Sequence, residues 1–93
     1  MYVIDVVRPD GYTEELDPGS VATAQIHLNN YLQYLSANAG DDQEVTINIY
    51  HSGGEWARQG GLARQQRLTV AHGLVASKYR DFSKIVANML SGL

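Results

Sequence analysis

Hydrophobic and polar positions in the first sixteen residues predict a β-hairpin. Residues 2–7 form a nearly continuous β-branched and apolar run, which is typical of a strand. Residues 8–12 then read Arg-Pro-Asp-Gly-Tyr. This is turn chemistry, because proline presets φ, aspartate caps its own backbone and glycine tolerates positive φ. The second strand is predicted near residues 12–16.

A helix and a third strand are predicted next. Asp17, followed by Pro18, or alternatively Ser20, can cap the start of the helix, and Gly40 can end it. Between them, apolar residues recur at the three- and four-residue spacing of one helical face. These are Val21, Ala24, Leu28, Tyr31, Leu32 and Leu35. Residues 44–50 then alternate apolar and polar side chains, the pattern of a strand with one buried face.

The last third of the chain predicts one long helix. Beyond the glycine-rich residues 51–61, apolar residues at three- and four-residue spacing from Leu68 to Leu93 predict a helix over residues 62–92. The members of this stripe are Leu68, Ala71, Val75, Tyr79, Phe82, Val86, Met89 and Leu93. Gly73 falls opposite this stripe, where a helical glycine costs only about 1 kcal/mol. A break into two helices is the alternative.

Together these elements predict a small α+β fold in one domain, residues 1–93, with the order β-β-α-β-α. A right-handed crossover places the third strand beside the first, so the three-stranded sheet has the order 2-1-3, with both helices on one face. The other face is predicted to be exposed and to carry Asp5, Thr46, Asn48 and Tyr50. The third strand has no charge at its centre, which leaves its edge open to another chain.

Composition narrows the class of protein. The 93 residues are 44% hydrophobic and 18% charged, as in ordinary folded proteins, and the absence of cysteine excludes disulfides and thiolate metal sites. The N-terminus has no basic segment before its first acid, so no signal peptide is predicted, and no apolar run approaches the roughly 18 residues of a membrane span. A cytoplasmic protein without membrane contact is expected.

Charge is divided between the two halves of the sequence. Residues 1–50 contain eight acidic residues and one basic residue, whereas residues 51–93 contain six basic and two acidic residues. Opposite charges steer surfaces together, so the N-terminal half favours basic partners. The basic half allows direct nucleic-acid binding as an alternative, but the net charge of −3 is unlike that of a typical nucleic-acid-binding module.

Motifs for catalysis, metals or cofactors are weak in this sequence. His27, His51 and His72 fall on separate elements without the spacing of a zinc pair, so we expect no enzyme activity, metal or cofactor. A glycine-rich loop after a strand can form an anion nest from its backbone N–H groups. This alternative site for a phosphorylated ligand or nucleotide comprises Ser52, Gly53, Gly54, Arg58 and Arg64. An ordinary turn is the competing interpretation.

The aromatic residues favour a protein-binding role. Six tyrosines accompany one phenylalanine, and tyrosine is enriched at interfaces. The predicted partner-binding residues are Asp5, Glu14, Glu15, Ile26, Tyr34 and Tyr50. We expect a non-enzymatic interaction module whose acidic half blocks a basic, nucleic-acid-binding surface of a partner protein. In size, acidity and lack of cysteine the chain resembles small phage-encoded inhibitors such as anti-CRISPR proteins. A homodimer, through the last helix or the edge of the third strand, is also expected.

Overall fold

The computed structural model describes residues 3–16, 20–38, 40–50, 61–73 and 76–92. It contains, in chain order, the following elements: β1 (Val3–Val7), β2 (Thr13–Leu16), α1 (Val21–Asn38), β3 (Gln43–Tyr50), β4 (Leu62–Val70) and α2 (Ala76–Leu90). The four strands form one antiparallel sheet in the order β2-β1-β3-β4. The predicted α+β class and the predicted 2-1-3 arrangement of the first three strands are therefore confirmed.

The first half of the chain follows its local sequence signals closely. The β1–β2 turn closes through a hydrogen bond from the Gly11 N–H to the Arg8 carbonyl, and Gly11 has a φ of 90°. Helix α1 begins at the second of the two predicted caps, because the Ser20 hydroxyl accepts a hydrogen bond from the Thr23 N–H at 3.2 Å. The predicted helical stripe is buried at Ala24, Leu28, Leu32 and Leu35, and Tyr31 packs partly buried against it.

The prediction of one long C-terminal helix is wrong. Residues 62–70 form β4, which pairs antiparallel with β3 over almost its whole length. Gly73 does not continue a helix either, since its φ of 65° places it in the turn before α2. Pairing with β3 supplies the β4 backbone with cross-strand hydrogen bonds, and this tertiary gain outweighs an apolar spacing that also fits a helix. The predictions of a three-stranded sheet and of a free edge on the third strand are also wrong, because β4 pairs with that edge.

The hydrophobic core lies between the sheet and both helices. Alternate residues of β1 and β3, together with Val70 of β4, contribute one side, and α1 and α2 contribute the other. The fully buried members from the sheet and from α2 are Ile4, Val6, Val45, Ile47, Ile49, Val70 and Val86. Of the predicted C-terminal stripe, Val86 and Met89 are confirmed as core residues. The Phe82 side chain, Val75 and Leu93 lie outside the described residues.

The face of the sheet opposite the helices is less exposed than the sequence predicts. Asp5, Asn48 and Tyr50 do lie on this face, as their alternation with core residues requires. Asp5, however, is only 5% exposed. It lies on an inner strand between Glu15 of β2 and Asn48 of β3, which are its cross-strand neighbours. Asp5 is therefore a buried polar residue rather than part of an exposed acidic surface.

Candidate functional site

The β1–β2 turn places two side chains, Arg8 and Tyr12, beside each other at one end of the sheet. The Arg8 N–H donates to the Tyr12 carbonyl at 2.8 Å, so the two residues face each other across the turn. Asp10 stabilises the turn, because its carboxylate accepts a hydrogen bond from the Tyr12 N–H at 2.9 Å. As a result, the Arg8 guanidinium lies over the Tyr12 ring, 4.1 Å from the ring centroid.

The C-terminal half of α1 brings two further tyrosines to the same end. Tyr31 and Tyr34 are three residues apart and therefore neighbours on the helix surface. Their rings stack with centroids 6.2 Å apart and an interplanar angle of 22°. Tyr31 is partly buried against the core, whereas Tyr34 is 58% exposed. One ring thus anchors the pair to the core, and the other presents its surface to solvent.

These residues line an open groove of about 450 Å³ between the β1–β2 turn and α1. We call it the tyrosine groove; it is lined by Arg8, Tyr12, Glu14, Tyr31 and Tyr34. The Tyr12 hydroxyl donates to a Glu14 carboxylate oxygen at 2.9 Å. Arg8 is only 27% exposed, and its Nε lies 3.8 Å from an Asp10 oxygen. The groove therefore combines three phenol rings with one carboxylate and one guanidinium.

Both phenols beside Tyr34 hold their protons more tightly than an ordinary tyrosine. The hydrogen bond to Glu14 and the negative charge of that carboxylate raise the pKa of Tyr12. Burial is the largest cause of the raised pKa of Tyr31. Both rings are consequently neutral at physiological pH, where they can donate hydrogen bonds and offer aromatic faces.

Acidic side chains surround this end of the molecule. The start of β3 lies beside the β1–β2 turn, because Thr46 pairs with Val7. In addition to the half-buried Glu14, the exposed carboxylates at this end are Asp10, Asp41, Asp42 and Glu44. Asp42 also accepts a hydrogen bond from the His72 N–H at 2.8 Å, which ties the end of β4 to the start of β3. Among the described side chains of the sheet, the other cations are Arg64 and Arg67, which lie on β4, three strands from β2.

The predicted partner-binding residues divide into three places. Glu14 and Tyr34 meet in the tyrosine groove. Ile26 is 59% exposed on α1, about 12 Å from Tyr34 at the helical rise of 1.5 Å per residue. Asp5, Glu15 and Tyr50 lie on the opposite face of the sheet. The six residues therefore do not form one surface, and only Glu14, Ile26 and Tyr34 share the helix-covered side of the molecule.

The alternative anion site is not brought together by the described residues. Ser52, Gly53, Gly54 and Arg58 lie outside them. The Arg64 guanidinium instead donates from Nη1 to the carbonyl oxygens of Met89 and Ser91 at 2.5 and 2.7 Å. Arg64 thus serves the C-terminal end of α2, where a positive charge is favourable, and it borders a second open depression of about 360 Å³.

Sequence reasoning missed three residues of the tyrosine groove, namely Arg8, Tyr12 and Tyr31. The helical spacing predicts Tyr31 only as a member of the core stripe of α1, and the turn motif predicts Arg8 and Tyr12 only as turn residues. The turn itself was a usable signal, because a short hairpin connection brings the residues that flank it together. No sequence pattern placed that hairpin against the second half of α1.

Metal binding has no candidate within the described ranges, where no three histidine or acidic side chains cluster closely enough to hold an ion. Neither described helix is both long and apolar enough to cross a membrane.

Comparison with known proteins gives no family assignment. No protein-family model, curated protein or solved structure matches this chain.

Proposed function

We propose that this protein is a non-enzymatic interaction module whose acidic, tyrosine-bearing end docks on a basic surface of another protein. The observation that carries this proposal is the tyrosine groove, in which Tyr12, Tyr31 and Tyr34 meet Arg8 and Glu14. Tyrosine and arginine are among the residues that contribute most binding energy at protein interfaces. Their accumulation in one exposed groove favours a docking site over an ordinary solvated surface.

The surrounding charges favour a basic partner. Asp10 is 66% exposed, and Asp41, Asp42 and Glu44 are also exposed at this end. Such a cluster raises the association rate with a positively charged surface and disfavours acidic partners. Ile26, exposed on the outer side of α1, extends the contact area with an apolar residue.

The most concrete form of this activity is inhibition of a nucleic-acid-binding protein. Such proteins bind phosphates with clustered lysine and arginine residues. Carboxylates displayed at one end of a small protein can occupy those residues and exclude the nucleic acid. We propose an inhibitor of this kind, of the phage anti-defence type and acting in the cytoplasm. The chain's size, acidity and lack of cysteine support this form.

The test begins with identification of the partner by affinity capture and mass spectrometry, followed by binding kinetics of two matched variants. Glu14→Gln and Glu44→Gln each remove one carboxylate near the acidic end, but only Glu14 lines the groove. Both variants should lower the association rate at low salt, and both effects should shrink as salt screens the charges. Glu14→Gln should also raise the dissociation rate, by about fivefold to tenfold if a hydrogen-bonded charge is lost at the contact.

Tyr34→Ala supplies the second arm of this test. Removal of an exposed interface tyrosine should weaken binding by about 1–3 kcal/mol. The exposed Tyr34 ring has no place in the core, so the fold should remain intact by circular dichroism. Partner binding that is unchanged in both Tyr34→Ala and Glu14→Gln would overturn the proposed docking site.

We also propose that the chain forms a homodimer through the outer edge of β4. In the described part of the chain β4 ends the sheet, and it runs for nine residues with no proline. Long edge strands of this kind can pair with another chain. Light scattering at about 100 µM should give twice the monomer mass, and a monomer mass there would contradict the homodimer.

A further inference from the structure

We infer that the tyrosine groove is a pocket for an arginine side chain of the partner protein. This inference rests on the proposed function, since it names the chemical group that the docking site receives. Three features of the groove carry it: the way a guanidinium already lies on one of its rings, the exposed ring of Tyr34, and the carboxylate of Glu14.

The intramolecular contact of Arg8 shows that a guanidinium suits these rings. Its guanidinium carbon lies 4.1 Å from the centroid of the Tyr12 ring, within the range of cation–π attraction. A guanidinium is planar and weakly hydrated, so it stacks on an aromatic face with little loss of solvation. Arg8 lies over the Tyr12 ring, which is still 50% exposed, and Tyr34 is 58% exposed. The groove therefore offers an incoming arginine a ring that Arg8 does not cover.

Glu14 supplies the charge that such a cation requires. One of its oxygens accepts the Tyr12 hydroxyl at 2.9 Å. An ionised carboxylate offers about four acceptor positions, so Glu14 can also accept N–H groups from a guanidinium. Tyr12 thereby orients the carboxylate, and orientation matters because arginine pairs best with a carboxylate of fixed geometry.

The charge of the groove selects a cation over an anion. Arg8 is its one positive group among the described side chains, and Asp10 lies 3.8 Å from the Arg8 Nε. Because the negative charge of Asp10 offsets the positive charge of Arg8, the carboxylate of Glu14 gives the groove a net negative charge. A phosphate or carboxylate ligand would be repelled by it. Lysine fits less well than arginine, since its compact ammonium group is more strongly hydrated and cannot stack.

The test uses three small probes that differ only at the end of one side chain: N-acetyl-arginine amide, its citrulline counterpart and its lysine counterpart. Citrulline retains the planar shape but lacks the charge. Each is titrated into the protein while the tyrosine ring resonances are followed by NMR, with Tyr50 on the other face of the sheet as the internal reference. We expect saturable shifts at Tyr34 and Tyr12 with arginine and none at Tyr50. The lysine probe should bind about threefold to tenfold more weakly than the arginine probe. The citrulline probe should bind more weakly than the arginine probe by about tenfold or more.

Two variants then assign the interaction to the groove. Glu14→Gln should weaken arginine binding by about fivefold to tenfold, whereas Glu44→Gln, which removes a carboxylate outside the groove, should change it by less than about twofold. Tyr34→Ala should abolish the saturable NMR shifts that the arginine probe causes. Citrulline binding as tightly as arginine, or equal effects of the two glutamate variants, would overturn the arginine pocket.

This experiment separates the inference from the proposed function because it needs no partner. If the groove binds no arginine but Tyr34→Ala still impairs partner binding, docking stands and the arginine pocket fails. If the groove binds arginine but Tyr34→Ala leaves partner binding unchanged, the pocket stands and its place in docking fails.

Discussion

The Arg64 guanidinium donates a 2.5 Å hydrogen bond to the carbonyl oxygen of Met89, and this contact fastens the outer strand of the sheet to the last turn of α2. The same nitrogen donates to the Ser91 carbonyl. The last carbonyls of a helix have no partner within the helix, and a cation near them is favourable. Arg64 meets both requirements from a neighbouring strand rather than from the helix itself.

Replacement of Arg64 by methionine should therefore lower the free energy of unfolding. The change keeps much of the side-chain length but removes the donor, and Arg64 is partly exposed, so we expect a loss of about 1–2 kcal/mol. Arg67→Met is the matched control, because Arg67 is exposed on the other face of the same strand. It should change stability by less than about 0.5 kcal/mol. Urea titration measures both, and equal losses would contradict a capping role for Arg64.

Truncation of core residues should test the orientation of α1. Leu28 and Ile47 are fully buried on opposite sides of the core, so Leu28→Ala and Ile47→Ala should each cost about 2–5 kcal/mol. Ile26 lies two residues before Leu28 but is 59% exposed, and Ile26→Ala should cost less than about 1 kcal/mol. Urea titration of the three variants is the measurement. A loss for Ile26→Ala as large as that for Leu28→Ala would mean that another chain buries Ile26.

Titration of Tyr12 should reveal its hydrogen bond to Glu14. The hydrogen bond and the nearby negative charge raise the pKa of Tyr12, so Glu14→Gln should return that pKa toward the ordinary tyrosine value of about 10. Glu44→Gln should leave it unchanged, because Glu44 is not among the groups that shift it. NMR of the Tyr12 ring across alkaline pH gives the value directly. A Tyr12 pKa that is the same in the Glu14→Gln variant and the parent protein would contradict this hydrogen bond in solution.

The free energy of unfolding should decrease at alkaline pH because Tyr31 ionises. Burial raises the pKa of Tyr31 in the folded chain, so as pH rises the unfolded chain loses this proton first. The stabilisation is fully present below a pH of about 10, the ordinary tyrosine pKa, and is lost as pH rises through the higher folded-state pKa. Tyr31→Phe removes this ionisation. Urea titrations at alkaline pH should show a shallower decline for that variant, and identical declines would show that Tyr31 does not contribute.

Local chemistry in the sequence was sufficient to predict the first three strands and α1. Pro9, Asp10 and Gly11 restrict their own backbone to a turn, and Ser20 caps its own helix. The alternation in β3 and the helical stripe of α1 each describe one buried face, so the period alone identifies the element. Their pairing order followed from the right-handed crossover expected between β2 and β3.

Tertiary structure decided β4 and the tyrosine groove. The stretch Arg64 to Arg67 is polar throughout, so its period gives no strand signal. Residues 62–70 become a strand because β3 offers an unpaired edge for their backbone. In the same way, Tyr12 and Tyr31 are distant in sequence, and each is ordinary in its own element. They meet because packing of the apolar face of α1 against the sheet brings the helix beside the β1–β2 turn. Such contacts depend on long-range burial, which no local pattern records.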